Sequence, residues 1–127
     1  MSKITNQHLL RLACIYIRQS TLTQLRNHQE STKRQYDLRQ KARSLGWSEE
    51  QIRLLDRDLG QSGATASSRA DFKTLVSDVA MGLVGAIFCL EASRLARSNQ
   101  DWHRLLELCA ITGTLVIDED GVYDLTC

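Results

Sequence analysis

Proline is absent from the 127 residues, and aromatic residues make up only 6% of them. No collagen-like repeat or proline-rich linker is therefore available, and no internal repeat or low-complexity tract divides the chain. Long apolar runs are lacking too. The longest, MGLVGAIFCL at 81–90, is too short and too glycine-rich to span a bilayer, and the amino terminus lacks the apolar core of a signal peptide. A cytoplasmic protein with no membrane partner is expected. The four cysteines, Cys14, Cys89, Cys109 and Cys127, form no C-x-x-C pair and have no histidine at zinc-ligand spacing. They are read as reduced thiols, the first three in apolar patterns, and neither a metal nor another cofactor is expected.

Several catalytic signatures are missing as well. There is no G-x-x-x-x-G-K-S/T phosphate loop, no G-x-G-x-x-G fingerprint, no H-E-x-x-H and no G-x-S-x-G elbow. A serine hydrolase needs a histidine base beside its nucleophile. His8 precedes the first strand, while His28 and His103 fall inside helical patterns, so none stands at a strand end and an esterase triad is disfavoured. Asp118, Glu119 and Asp120 crowd together and are read as a solvated run in a turn.

What is present is an ordinary globular composition, 43% hydrophobic and 24% charged, long enough for one domain with a real core. The net charge of +1 hides an asymmetry: residues 1–47 hold nine Lys/Arg against two Asp/Glu, and residues 48–127 hold seven against thirteen. Twelve of the sixteen basic residues are arginine, whose planar fork of donors suits phosphate better than an ammonium does. A polyanion-facing surface and a merely solvated helix face both fit this bias.

Strand and helix patterns alternate. RLACIYI at 11–17 reads as a buried strand and IRLLD at 52–56 as a brief second one. VGAIFCLE at 84–91, nearly all apolar, reads as a central strand covered on both faces, and TLVIDED with GVYDL as a final strand and hairpin-like end. Between them, residues 21–47 predict one long helix with Gly46 as its stop. Phe72, Leu75, Val76 and Val79 mark a second helix ending near Gly82. Trp102, Leu105, Leu106, Leu108 and Cys109 mark a third, stopped by Gly113 and given a core role only. DLGQSGATASS at 58–68 reads as a mobile loop. The class is α/β: a single domain with a mainly parallel central sheet of four to five strands flanked by helices.

Ligands of such sheets bind beyond the carboxyl ends of the strands. Arg18 and Ser20 follow the first strand, the DLGQSG loop the second, and Ser93, Arg94 and Arg97 the third. Convergence of arginines on a hydroxyl suits phosphoryl transfer, which asks mostly for positioning and charge stabilisation. At an effective dielectric of 20, a unit charge 4 Å away contributes about 4 kcal/mol, or roughly three pKa units, before solvent screening. Ser20 is thus a candidate nucleophile, although before a helix it is equally a candidate N-cap. Its proton acceptor is not identified, since arginine is too basic to serve.

These residues, taken together, resemble the serine site-specific recombinases, the resolvase and invertase family, and most closely the catalytic domains of the large serine recombinases. The likeness covers residues 12–124 and rests on YIRQS at 16–20, DLGQSG at 58–63, SRADF at 68–72 and SRLARS at 93–98, in that order and spacing. It implies a resolvase-like domain over residues 12–127 behind an amino-terminal extension, residues 1–11. It also implies DNA recombination by strand exchange, as in DNA integration or inversion, through a covalent 5′-phosphoserine on Ser20 with no metal or nucleotide. Arg18, Arg69, Arg94 and Arg97 would surround the scissile phosphate and bind the DNA. Tyr16, Gln24 and Gln29 would be supporting residues, and so would Asp58, which on its own reads equally as a turn residue. Double-stranded DNA would be the partner, the full-length protein a homodimer or homotetramer, nucleoid-associated when bound.

Two family positions are not matched. Ser93 stands where small resolvases carry an aspartate, and Asp78 lies near where a family lysine would fall. The family's dimerising helix and DNA-binding domains would follow residue 124 and are expected to be absent from this piece. The isolated piece is therefore expected to be weakly active or inactive, with weak, salt-dependent affinity for duplex DNA. A non-catalytic recombinase fold used for dimerisation or regulation is the alternative.

Overall fold

The computed structural model describes residues 3–16, 28–55, 70–89, 100–118 and 121–124, with backbone alone for 28–35, 70 and 71. Helix α1 (Asn6–Leu9) precedes strand β1 (Leu12–Tyr16). Helix α2 (His28–Leu45) then leads through a 3-10 turn to β2 (Ile52–Leu55), and α3 (Ala70–Ala80) leads to β3 (Val84–Phe88). Helix α4 (Gln100–Thr112), β4 (Leu115–Ile117) and β5 (Val122–Tyr123) follow. The five strands form one sheet in the order β2-β1-β3-β4-β5. All pairs are parallel except β4 with β5, so the expected α/β class with a mainly parallel sheet is what the chain adopts.

Alternation along the strands divides the core in two. Cys14, Tyr16, Ile87, Cys89 and Val116 face α3 and α4, where they meet Phe72, Leu75, Val79, Trp102, Leu105 and Cys109. Ala13, Ile15, Ala86, Phe88, Leu115 and Ile117 face α2, where they meet Leu38, Ala42 and Trp47. Every residue of β3 is buried, as a strand covered on both faces requires. Gly82 and Gly113, with φ of 75° and 73°, follow α3 and α4 in the left-handed conformation that ends a helix at little cost only in glycine.

The amino-terminal segment, set outside the domain by its sequence, packs against the sheet. Thr5 caps α1 in a reciprocal box with His8. Thr5 N–H donates to His8 Nδ1 at 2.9 Å, which leaves Nε2 as the protonated nitrogen, and Nε2 donates to the Gly113 carbonyl at 2.9 Å. Trp47 Nε1 donates to the His8 carbonyl at 3.1 Å, and Gln51 Nε2 donates to the carbonyls of Leu9 at 2.7 Å and Arg11 at 3.2 Å. His8 is thus a structural clasp.

Cys14 and Cys109, 1% and 0% exposed, sit in the α3/α4 core. Burial pushes the Cys14 thiol up to about 12, with Asp78 adding to the rise and Arg53 opposing it. Burial likewise raises Cys109 to about 12, against a backbone hydrogen bond that lowers it. Because these folded values exceed the ordinary 9.0, the unfolded thiols ionise first. The associated stability is complete below pH 9.0 and falls as pH rises toward 12, by up to about 1.4 kcal/mol per pH unit for each thiol. Both cysteines should therefore resist iodoacetamide at pH 9 and react once urea unfolds the chain; rapid native labelling of either would contradict their burial.

Candidate active site at the carboxyl edge of the sheet

Three neighbouring parallel strands end side by side. Tyr16, the last residue of β1, is in register with Leu55, the last of β2, and Ile15 is in register with Phe88, the last of β3. Adjacent strands lie about 4.8 Å apart, so the chain leaves the sheet toward residues 17–27, 56–69 and 90–99 from points roughly 10 Å across. The sequence motifs lie in, or run into, these three stretches.

Of the candidate residues, Arg18, Ser20, Gln24, Asp58, Arg69, Arg94 and Arg97 lie outside the described residues, as does the 58–68 loop. Gln29 is in the first turn of α2. Tyr16 is placed in full: it is 2% exposed, so its phenol belongs to the core as well as to the edge.

The Tyr16 ring meets Phe72 at 5.9 Å between centroids and 64° between planes, and Trp102 at 5.6 Å and 57°. Phe72 and Trp102 meet at 5.9 Å and 55°. All three contacts have the edge-on or tilted geometry that aromatic quadrupoles favour. Phe72 and Trp102 lie near the starts of α3 and α4. Sequence periodicity had given Trp102 a core role only and had set Phe72, which also closes the SRADF motif, on a helical face; the contact of each with Tyr16 had no local signal.

Asp118, next beyond β4 at the same edge, corrects the expectation of a solvated acidic run. It is 1% exposed. Gly121 N–H donates to its carboxylate at 3.1 Å, and its own N–H donates to the Gly121 carbonyl at 3.0 Å. Lys41 Nζ donates to its carbonyl oxygen at 2.6 Å. The residue stands just beyond β4 and is paired with Gly121 ahead of β5; Glu119 and Asp120 lie outside the described residues. Asp118→Ala would leave the Gly121 N–H without its partner at a cost of about 1–3 kcal/mol, read as a thermal midpoint lower by several degrees. An unchanged midpoint would show the carboxylate to be dispensable to the turn.

Among the described residues no group of three or more His, Cys, Asp or Glu could hold a metal ion, and no helix is long and apolar enough to cross a membrane. His103, inside a helix as its sequence pattern predicts, is exposed and 3.2 Å from Glu107 one turn on.

Comparison with known proteins gives the family. Residues 13–126 match the family model described as the resolvase N-terminal domain. Over 122 residues the chain is 56% identical to a protein of Sinorhizobium fredii (strain NBRC 101917 / NGR234) described as uncharacterized protein y4bA/y4pH. That alignment covers 96% of this chain and 18% of the relative, so the chain spans less than a fifth of that protein. The family match takes in β1 from its second residue, all the later strands and each of the four motifs: the chain belongs to the resolvase N-terminal domain family, the catalytic domain of the serine recombinases.

Proposed function

We propose that this chain is the catalytic domain of a site-specific DNA recombinase, that it comprises residues 12–127 with residues 1–11 as an extension folded onto it, and that Ser20 is its nucleophile. The Ser20 hydroxyl oxygen attacks a DNA phosphorus, a phosphoserine bond forms to the 5′ phosphate, and the phosphorus–O3′ bond breaks to release a 3′ hydroxyl. Rejoining is the reverse attack by a 3′ hydroxyl of another strand, which frees Ser20. One ester bond forms for each that breaks, so no nucleotide is consumed.

Arg18, Arg69, Arg94 and Arg97 hold the phosphate and offset the negative charge that develops on its oxygens. Gln24, Gln29 and Asp58 support them. Double-stranded DNA is the substrate, and the full-length protein works as a dimer or tetramer. The observation that carries this reading is the side-by-side ending of β2, β1 and β3. Ser20 and the arginines, far apart in sequence, belong to the stretches of chain that join those three strand ends to the next elements.

The test is a nicked duplex carrying the protein's mapped crossover site, incubated with full-length protein and resolved under denaturing conditions. A covalent protein–DNA adduct is expected from the parent and none from Ser20→Ala. Persistence of the adduct in that variant would remove Ser20 from the chemistry. A folded, oligomeric parent that forms none would favour a non-catalytic interaction module.

A further inference from the structure

We propose that Phe72 and Trp102 are positioning residues for the phosphodiester chemistry, acting with Tyr16 as a closed triangle of rings that sets the three catalytic stretches relative to one another. This rests on the recombinase reading above and goes further, because it assigns a role to two residues outside the set given to the phosphate and the serine. Each ring stands where the described fold adjoins one such stretch. Tyr16 is two residues before Arg18 and four before Ser20, Phe72 is three after Arg69, and Trp102 is five after Arg97. Chains of two, three and five residues reach at most about 7, 11 and 18 Å, so the rings anchor those residues over short tethers.

The triangle is closed: each pair of rings is in contact, at 5.6 to 5.9 Å. The three residues are 2%, 6% and 0% exposed. In an interior packed to crystal-like density a ring cannot move without displacing both neighbours. A shift at the start of α3 is therefore passed to the end of β1 and to the start of α4. The lower part of the same core, with Leu75, Val79, Leu105 and Cys109, holds the helices on the sheet but lies further along them from the motifs.

Stability and positioning are separated by a control on the other face of the sheet. Trp47 packs edge-on against Phe88 at 5.6 Å and is 2% exposed, yet it belongs to the other core cluster, apart from the triangle. Trp102→Leu, Phe72→Leu, Trp102→Phe and Trp47→Leu are compared at a temperature where circular dichroism shows each to be folded. In 15N NMR spectra of this chain, Trp102→Leu is expected to shift the amide signals of Ser20, Arg69 and Arg97 together, and Trp47→Leu to leave all three in place. In the full-length protein on the nicked duplex, the two triangle leucine variants should form adduct roughly ten- to a hundredfold more slowly with DNA affinity within about twofold of the parent. Trp102→Phe should recover most of the rate, and Trp47→Leu should keep it.

Unmoved amide signals in Trp102→Leu, or an adduct rate per folded molecule equal to the parent's, would overturn the proposal. So would an equal slowing by Trp47→Leu, which would make the effect one of stability alone. Failure of the recombinase reading shows itself separately, as an adduct that survives Ser20→Ala or a parent that makes none, and the NMR comparison then still decides whether the rings couple the three stretches.

Discussion

Alanine at position 20 is expected to abolish the protein–DNA adduct altogether while leaving the fold standing. In the proposed reaction the side-chain oxygen forms the new bond to phosphorus, and alanine carries no such oxygen. The arginines differ in kind. Removing any one of Arg18, Arg69, Arg94 or Arg97 leaves the nucleophile and the other cations, so a slowed reaction is the outcome there, in the range of about a hundred- to a thousandfold for one lost donor.

Ser20 is also, by its sequence, a candidate helix cap, and the two roles separate by substitution. A lost cap costs about 1 kcal/mol, whereas Asn caps about as well as Ser. Ser20→Asn should therefore keep the parent's thermal midpoint and still form no adduct, while Ser20→Ala should lose the adduct together with a few degrees of midpoint. If both variants retain the adduct, Ser20 is a cap and the nucleophile lies elsewhere.

Gly85→Ala is expected to lower stability more than any other single-methyl change in the sheet. Gly to Ala within a strand ordinarily gains a few tenths of a kcal/mol by restricting the unfolded chain. Here the sign reverses. A Cβ at position 85 would overlap the His8 carbonyl oxygen and lie 2.9 Å from its carbon and 3.1 Å from the His8 Cα. Those are backbone atoms and cannot swing aside.

The His8 carbonyl is moreover held in place, accepting from Trp47 Nε1 at 3.1 Å and from Arg11 N–H at 3.1 Å. Moving it strips the partner from an indole that is 2% exposed. Overpacking costs about 1–3 kcal/mol and an unpaired buried donor a further 1–3, so the loss should reach about 3 kcal/mol. That corresponds to a midpoint lower by ten degrees or more, with urea unfolding as the independent check. A variant as stable as the parent would mean that α1 is not docked on β3.

The two expectations differ in how far they could be anticipated from residues alone. YIRQS, SRADF and SRLARS draw attention to Ser20 and its arginines by type and order. Nothing around Gly85 in VGAIF announces that residue 8 lies on top of it. Similarly, alternation in β1 and β3 and the helical stripe through Trp102 were legible, because periods of 2 and 3.6 are local properties of a chain. Asp118 was misjudged because its burial depends on a lysine 77 residues away and on the reversal into β5. The docking of α1 had no local signal, because the bonds that hold His8 and Leu9 come from Trp47, Gln51 and the Gly113 carbonyl, 39 to 105 residues distant.

By itself the sequence determined the α/β class, the alternation of elements, the two-faced burial of β3, and the family through four ordered motifs. Only the tertiary structure decided the strand order that sets β2, β1 and β3 side by side, the docking of α1, the burial of Asp118 and the closure of the Tyr16, Phe72 and Trp102 rings. The physical reason is range. Local patterns follow from each residue's own backbone geometry, but which faces meet is settled by contacts between segments that a chain brings together only once it has folded.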